Sequence, residues 1–335
     1  MTDHGRLDDR ANVKDGADVD DGVDLTDLAV MSDLAVMSDL VVMHTAGVDD
    51  DDTAQANPGV VRAALGLWRT RLGLALVAVL IGTAIVGPWV APYDASEFVA
   101  TANLRNVDGT WLGTDYFGQD VWSRFLHGGR SILFLASVAT LIGFVFGAAV
   151  GLVAAYNRSR LDDALMRVMD VMLAFPQLLL ALVAITTVGP EPWLIIAIVG
   201  ITTIPRIARI TRGTTVPVVE RDFIGAAEAL GESRFRIITR ELLPNIIGPL
   251  LVEANLRLTY SIGIIAGLGF LGFATERNAA DWGLMVQENR VALSSNPWGT
   301  VLPAIAIALL TVGTGLVSDG FSRTVAGIDR GRPDA

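Results

Sequence analysis

Gly225-Ala226-Ala227-Glu228-Ala229-Leu230-Gly231, followed after a charged interval by Leu243-Pro244-Asn245, forms a polar, Arg-rich island between long hydrophobic runs. Its residue types suit docking rather than bond making. Glu220 to Leu230 is rich in helix formers, and Gly231 stands where a left-handed C′ residue would end the helix. Ala226 and Ala227 carry little bulk, so another surface can approach the backbone there. Glu232 to Leu243 resumes helical composition, and Pro244 is expected to interrupt it before Asn245 leads on. The Arg residues would suit a helix lying in lipid headgroups. The glycine break and the acids Asp222, Glu228, Glu232 and Glu241, which anionic lipid would repel, argue against that.

Other chemistry-bearing residues are sparse. Glu253 and Arg257 lie four apart in a hydrophobic run, a spacing that puts them on one helical face and allows mutual neutralisation. Ionisable groups inside a membrane mark functional sites by default, so a structural pair and a cavity-lining role both stay open. Asp170 can pair with Arg167 or with an Arg of the island. His127 stands alone in an expected loop, which disfavours a metal or catalytic role because metal sites cluster their ligands. The chain has three His and no Cys. No His falls in a hydrophobic run, so an intramembrane enzyme lacks its nucleophile–base pair or metal ligands. No Walker A sequence is present, and no nucleotide is expected to bind by that route.

The elements that must position these residues are membrane spans. About 20 apolar residues cross a hydrocarbon core as a helix, and six runs qualify: 72–90, 131–155, 168–188, 193–210, 246–272 and 301–317. Trp68, Arg69 and Arg71 anchor the first. Arg158, Arg160 and Arg167 follow the second, and Arg212, Arg221, Arg234, Arg236 and Arg240 lie between the fourth and fifth. Arg62, Arg323, Arg330 and Arg332 flank the ends of the span set, whereas the alternate loops are Arg-poor. This asymmetry predicts cytoplasmic termini and a cytoplasmic loop 211–245. Gly143, Gly147 and Gly151 leave bare backbone on one face of the second span, suited to helix packing or, alternatively, to a substrate path. In the outer segment Ala91 to Arg130, Gly-Thr-Asp and Gly-Gln-Asp read as turns whose aspartates bond nearby N–H groups. That segment is either a docking or capping element or an ordered loop packed on the bundle.

Charge is segregated. Of the net charge of -11, residues 1–57 hold 15 Asp against Arg6, Arg10 and Lys14, so the remainder is close to neutral. The segment 1–57 has no aromatic residue and repeats Asp-Leu-Ala-Val-Met-Ser, a composition that cannot bury enough surface to order itself. It reads as a disordered, solvated acidic arm, or in part as untranslated sequence, since Met31, Met37 and Met43 can each serve as a start. Residues 58–71 form a juxtamembrane segment and 72–335 the membrane domain.

The island resembles the EAA loop of ABC-importer permeases: Glu-Ala-Ala, three residues, Gly, nine residues, a position usually apolar, any residue, then Leu-Pro. Ala226, Ala227, Gly231, Leu243 and Pro244 fall on that spacing. Trp111 to Arg124 is similar to a signature of the C-type subunit of dipeptide/oligopeptide permeases. Asp170 to Pro176, Gly267 to Gly272 and Asp281-Trp282-Gly283 match further stretches, so the resemblance covers roughly four-fifths of the chain. It departs at Gly225, where the family has Glu, and at Glu241, where many relatives have His or an apolar residue. Asp222 or Glu228 could supply the missing carboxylate. The resemblance implies an all-α integral membrane protein, a six-helix type I importer permease whose 211–245 loop is a cytoplasmic coupling helix. It further implies a homologous permease partner in a heterodimer, two ATPase subunits that bind the ATP, and an extracellular solute-binding protein. No cofactor in this chain and no nucleic acid is expected. A stand-alone secondary transporter is the alternative; inverted repeats and midplane charges would mark it.

Overall fold

The computed structural model describes residues 63–157, 160–273 and 280–325. The acidic segment 1–57 and residues 58–62 of the juxtamembrane segment lie outside the described residues. Ten helices carry the argument: α1 (Trp68–Val90), α2 (Val121–Asn157), α3 (Arg160–Leu173), α4 (Gln177–Val188), α5 (Pro192–Val219), α6 (Asp222–Ala229), α7 (Arg234–Arg236), α8 (Leu243–Phe270), α9 (Trp282–Asn289) and α10 (Trp298–Val325). Between the helices, β structure is confined to the isolated bridges Phe98–Gln119 and Thr114–Asp120 among the described residues.

Four helices, α1, α2, α5 and α10, are long and apolar enough to cross a membrane, and α3 with α4 makes a fifth if that bent pair counts as one. The expected third span, 168–188, is not one straight helix. The helix starts at Arg160, stops at Leu173 and resumes at Gln177 after a 72° bend. Pro176 explains the break, because the residue before a proline is pushed out of the α region. The expected fifth span falls in α8, which has 28 residues but carries Glu253, Asn255 and Arg257 at its middle, and it is not among the apolar four.

α2 is longer than its apolar run. Its 37 residues extend about 55 Å at 1.5 Å per residue, and it starts ten residues before the expected 131. Asp120 caps it: its Oδ2 accepts from Ser123 N at 2.8 Å and from Ser123 Oγ at 2.6 Å, which satisfies a backbone donor of the first turn. His127 is therefore in a helix and not in a loop, with Nδ1 2.8 Å from Ser123 O. Polar residues in these first turns hid the helix from a hydropathy reading. Arg130, also in α2, repairs α1. Pro88 lacks the N–H that would bond Ala84 O, and Arg130 Nε donates to that carbonyl at 2.8 Å while Nη2 donates to Ile85 O at 2.7 Å.

The seam between α2 and α5 is built on the predicted glycines. A methyl carbon placed on Gly147 would sit 2.7 Å from Ile207 Cβ, and one on Gly151 would sit 2.5 Å from Ala208 O. One on Gly143 would meet Gly200 O at 2.9 Å. These residues are occupied in helix packing, as close approach between helices in lipid requires. Around the seam, Phe125, Ile132, Leu135 and Ala139 of α2 pack with Ile195 and Val199 of α5, Ile262 and Ile265 of α8, Trp282 of α9 and Leu310 of α10. Outward-facing Val79, Phe134 and Val183 are each more than 60% exposed, an apolar surface suited to hydrocarbon.

Candidate functional site

α6 and the turn after it carry out the sequence expectation in backbone detail. Gly231 has φ +77°. Its N–H donates to Glu228 O at 3.0 Å, and Glu232 N donates to Ala227 O at 3.1 Å. These two bonds form a Schellman motif, which satisfies the last carbonyls of the helix. A Cβ on Gly231 would meet nothing within 4 Å, so the demand for glycine there is conformational alone. Gly225 is also open, with nothing within 4 Å of a Cβ. A carboxylate at that position would project freely, so no internal contact is lost by having glycine.

Pro244 does not interrupt the chain as expected. α7 runs through a π-helical turn, Ile237–Leu242, directly into α8, with Pro244 in the first turn of α8. The wider π turn accommodates a residue that can neither donate to the turn before it nor tolerate the carbonyl there. Asn245 Nδ2 donates to Glu241 O at 2.5 Å and steadies the junction.

The island has two faces. Ile224, 2% exposed, enters an apolar cluster with Ala148 and Leu152 of α2, Ile237 and Leu242 of the π turn, and Ile246 and Leu250 of α8. Ala227 packs against that cluster, and Leu243 does so from the start of α8. On the other side Asp222, Gly225 and Ala226 are exposed, as are Phe223 at 37%, Leu230 at 84% and, beyond the turn, Phe235 at 77%. Large apolar residues left bare beside small ones form a surface suited to protein docking. Asp222 lies in the first turn of α6, where a negative charge complements the helix dipole. Glu228 is exposed as well, and Tyr156 Oη donates to its Oε1 at 2.7 Å.

Glu253 and Arg257 form the pair their spacing predicted. Arg257 Nε lies 2.6 Å from Glu253 Oε1, with the side chains 10% and 6% exposed. The guanidinium also sits 4.9 Å from the Tyr260 ring centroid. The pair is ten residues up α8 from Leu243, about 15 Å along the axis, and is separate from the island. Asp170 pairs with Arg209 of α5, not with Arg167 or an island Arg. One helical turn on, Arg212 holds Asp162 through both carboxylate oxygens at 2.6 and 2.7 Å.

At the far end of α2 the structure assembles a network that the sequence reading missed. Arg124 is fully buried and pairs with Asp115 Oδ2, and with Glu288 Oε2 at 3.0 Å. Asp115 Oδ1 accepts from Phe117 N at 2.9 Å and from Gln119 N at 2.8 Å, as the turn reading expected. Asn296 Nδ2 donates to Leu112 O at 2.9 Å and to Thr114 O at 3.0 Å. Tyr116 N donates to Asn289 Oδ1 at 2.9 Å, and Trp282 Nε1 donates to Phe125 O at 2.9 Å. The segment 91–120 is thus an ordered cap clamped onto α2 and the α9 region. Burial pushes the Glu288 carboxyl above its ordinary range, with the Arg124 charge opposing. Burial also raises Asp281, against the bond from Leu284 N. Among the described residues no cluster of three His, Cys, Asp or Glu is arranged for a metal.

Residues 143–326 match the family described as "Binding-protein-dependent transport system inner membrane component". A putative peptide transport system permease protein of Brucella suis is 35% identical over 252 residues, covering 75% of this chain and 85% of that protein. The chain belongs to this family. It is a membrane-embedded permease component of an ABC importer and not an enzyme. The dipeptide transport system permease protein of Alkalihalophilus pseudofirmus is 32% identical, covering 75% of this chain and 83% of that one. A glutathione transport system permease protein of Escherichia coli is 35% identical over 247 residues, covering 73% and 82%. A solved structure of the MetNI methionine ABC transporter in an inward-facing conformation aligns at 18% identity and a TM-score of 0.48, over 62% of this chain and 96% of that chain.

Proposed function

We propose that this chain forms half of the translocation pathway of an ATP-driven importer for dipeptides, oligopeptides or similar solutes. Its α6–Gly231–α7 element is the coupling helix that enters a cleft on an ATPase subunit. The observation that carries the reading is the Schellman-terminated α6, with Phe223, Ala226 and Leu230 bare on its outer face. The peptide assignment rests on relatives named for peptide, dipeptide and glutathione transport.

In this reading six spans cross the plasma membrane, with α3–α4 as a broken third and α8 as the fifth. Arginine asymmetry assigns both termini and the 211–245 loop to the cytoplasm, and the 91–120 cap to the outside. A homologous permease completes a heterodimer, two ATPase subunits bind the ATP, and an extracellular solute-binding protein delivers the solute. Movement of the coupling elements then rocks the two bundles, and only states that bind ATP or solute differently can shift that equilibrium. Asp222 and Glu228, both exposed, are the candidate acids for an ATPase contact, and Glu228 also bonds Tyr156. Gly225, Ala226, Ala227, Gly231, Leu243 and Pro244 supply shape. Glu253–Arg257 is a structural pair inside the fifth span.

The test is purification of the tagged chain from its native membrane, then uptake in proteoliposomes. Co-purifying ATPase subunits and ATP-dependent uptake are expected. Gradient-driven uptake by this chain alone would overturn the reading. Removal of residues 2–42, read as solvated arm, is expected to leave uptake unchanged.

A further inference from the structure

α6 is short and joined loosely in sequence terms. Glu220 and Arg221 separate it from α5, with Arg221 in extended backbone (φ −76°, ψ 146°), and the left-handed Gly231 separates it from α7. A helix of eight residues held only by those two joints could swing without moving the spans. Contacts to the π turn and to the Asn157 end of α2 remove that freedom. Ile224, Ala227 and Glu228 are at i, i+3 and i+4 and so share one face. Ile224 and Ala227 pack on the cluster that contains Ala148 and Leu152. Tyr156 Oη donates to Glu228 Oε1 at 2.7 Å, and Arg234 Nη1 donates to Asn157 Oδ1 at 3.3 Å. The apolar contact holds α6 down, but it is non-directional. The directed Tyr156–Glu228 bond fixes how α6 is rotated about its own axis.

We propose that Tyr156 and Glu228 are positioning residues that lock α6 onto the end of α2, so that displacement of the coupling element enters the α2–α5 pair as a rigid body. The inference rests on the coupling reading of α6 given above. It gives Glu228 a partner within the chain. It also gives the glycine seam a mechanical role. Gly147 and Gly151 let the α2 and α5 backbones pack in close contact, so a displacement of α2 is passed to α5 through that seam.

The chain contains no Cys, so single-site labels need no prior removal of thiols. In the complex purified with its ATPase partners, spin labels at Ala229→Cys on α6 and Val153→Cys on α2 report the distance across the joint. The wild-type background is expected to give one narrow distance that is unchanged when ATP and Mg²⁺ are added with vanadate to trap the closed ATPase. Tyr156→Phe and Glu228→Ala are each expected to broaden the distribution and to shift it on trapping. The double variant is expected to be no worse than either single one. Glu228→Gln, whose amide oxygen still accepts from Tyr156, is expected to behave as wild type. A wild-type distance that moves on trapping as much as in the variants, or single variants that stay narrow, would overturn the inference. Failure of any ATPase to co-purify with the unlabelled chain would instead strike at the coupling reading itself. The two failures are therefore separable.

Discussion

At the Val121 end of α2, Arg124 is fully buried between Asp115 and Glu288, with Trp282 and Asn296 closing the surroundings. At the Asn157 end, the polar contacts to α6 and α7 are exposed, and the burial there comes from Ile224 and its apolar cluster. The first joint is costly to open because each ion would be left in a low-dielectric site without its partner. The second costs little to break, since exposed polar contacts contribute little net stability, although it directs how α6 sits. One end of the same helix is therefore built as a fixed clamp. The other is built as a seat that orients an element which must meet another protein.

The largest effect should come from breaking the clamp. Arg124→Leu leaves Asp115 and Glu288 buried without a counter-charge and is expected to destabilise the protein by about 3–5 kcal/mol, read as a large drop in thermal unfolding temperature in detergent. Gly147→Val tests the seam that joins the two ends. With Ile207 Cβ 2.7 Å from the added carbon and the Ile204 carbonyl at 2.9 Å, overpacking should cost about 1–3 kcal/mol. Arg234→Ala removes an exposed contact at the Asn157 end and should stay within about 0.5 kcal/mol of wild type. If Arg124→Leu and Arg234→Ala cost the same, the contrast between the two ends is wrong.

The clamp should also show in pH dependence, as the smallest effect. Glu288 is raised by burial, so the folded state holds a proton that the unfolded state has already released. Stability should therefore fall as pH rises through the window from the ordinary carboxylate value to the raised one. Glu288→Gln should flatten that slope, measured by unfolding across pH. The Asp281 carboxyl, also raised, leaves a residual slope of the same sign.

Legibility in the sequence followed the range of each interaction. Local features could be read: Gly231 ending α6, the glycine stripe of α2, Asp115 closing its turn and the i,i+4 pair Glu253–Arg257 all depend on residues close in the chain. Long-range polar pairs could not. Nothing in one sequence couples Arg124 to Glu288, Arg212 to Asp162 or Tyr156 to Glu228, because many charges could meet across helices and the packing selects among them. Hydropathy also missed the start of α2, where Arg124, His127 and Arg130 hide a helix that Asp120 caps. It missed the break at Pro176 as well, where apolar composition continues while the backbone turns. At Pro244 a sound local rule gave way to a π turn that the neighbouring helices stabilise.

The most direct test of the coupling account is the ratio of solute taken up to ATP hydrolysed in proteoliposomes of the full complex, compared between wild type and Gly231→Val. Valine at φ +77° strains the backbone by about 1–2 kcal/mol while touching no neighbour, so insertion and subunit assembly should survive. The account predicts that hydrolysis continues while uptake per ATP collapses. An unchanged ratio in a variant that still assembles would contradict it.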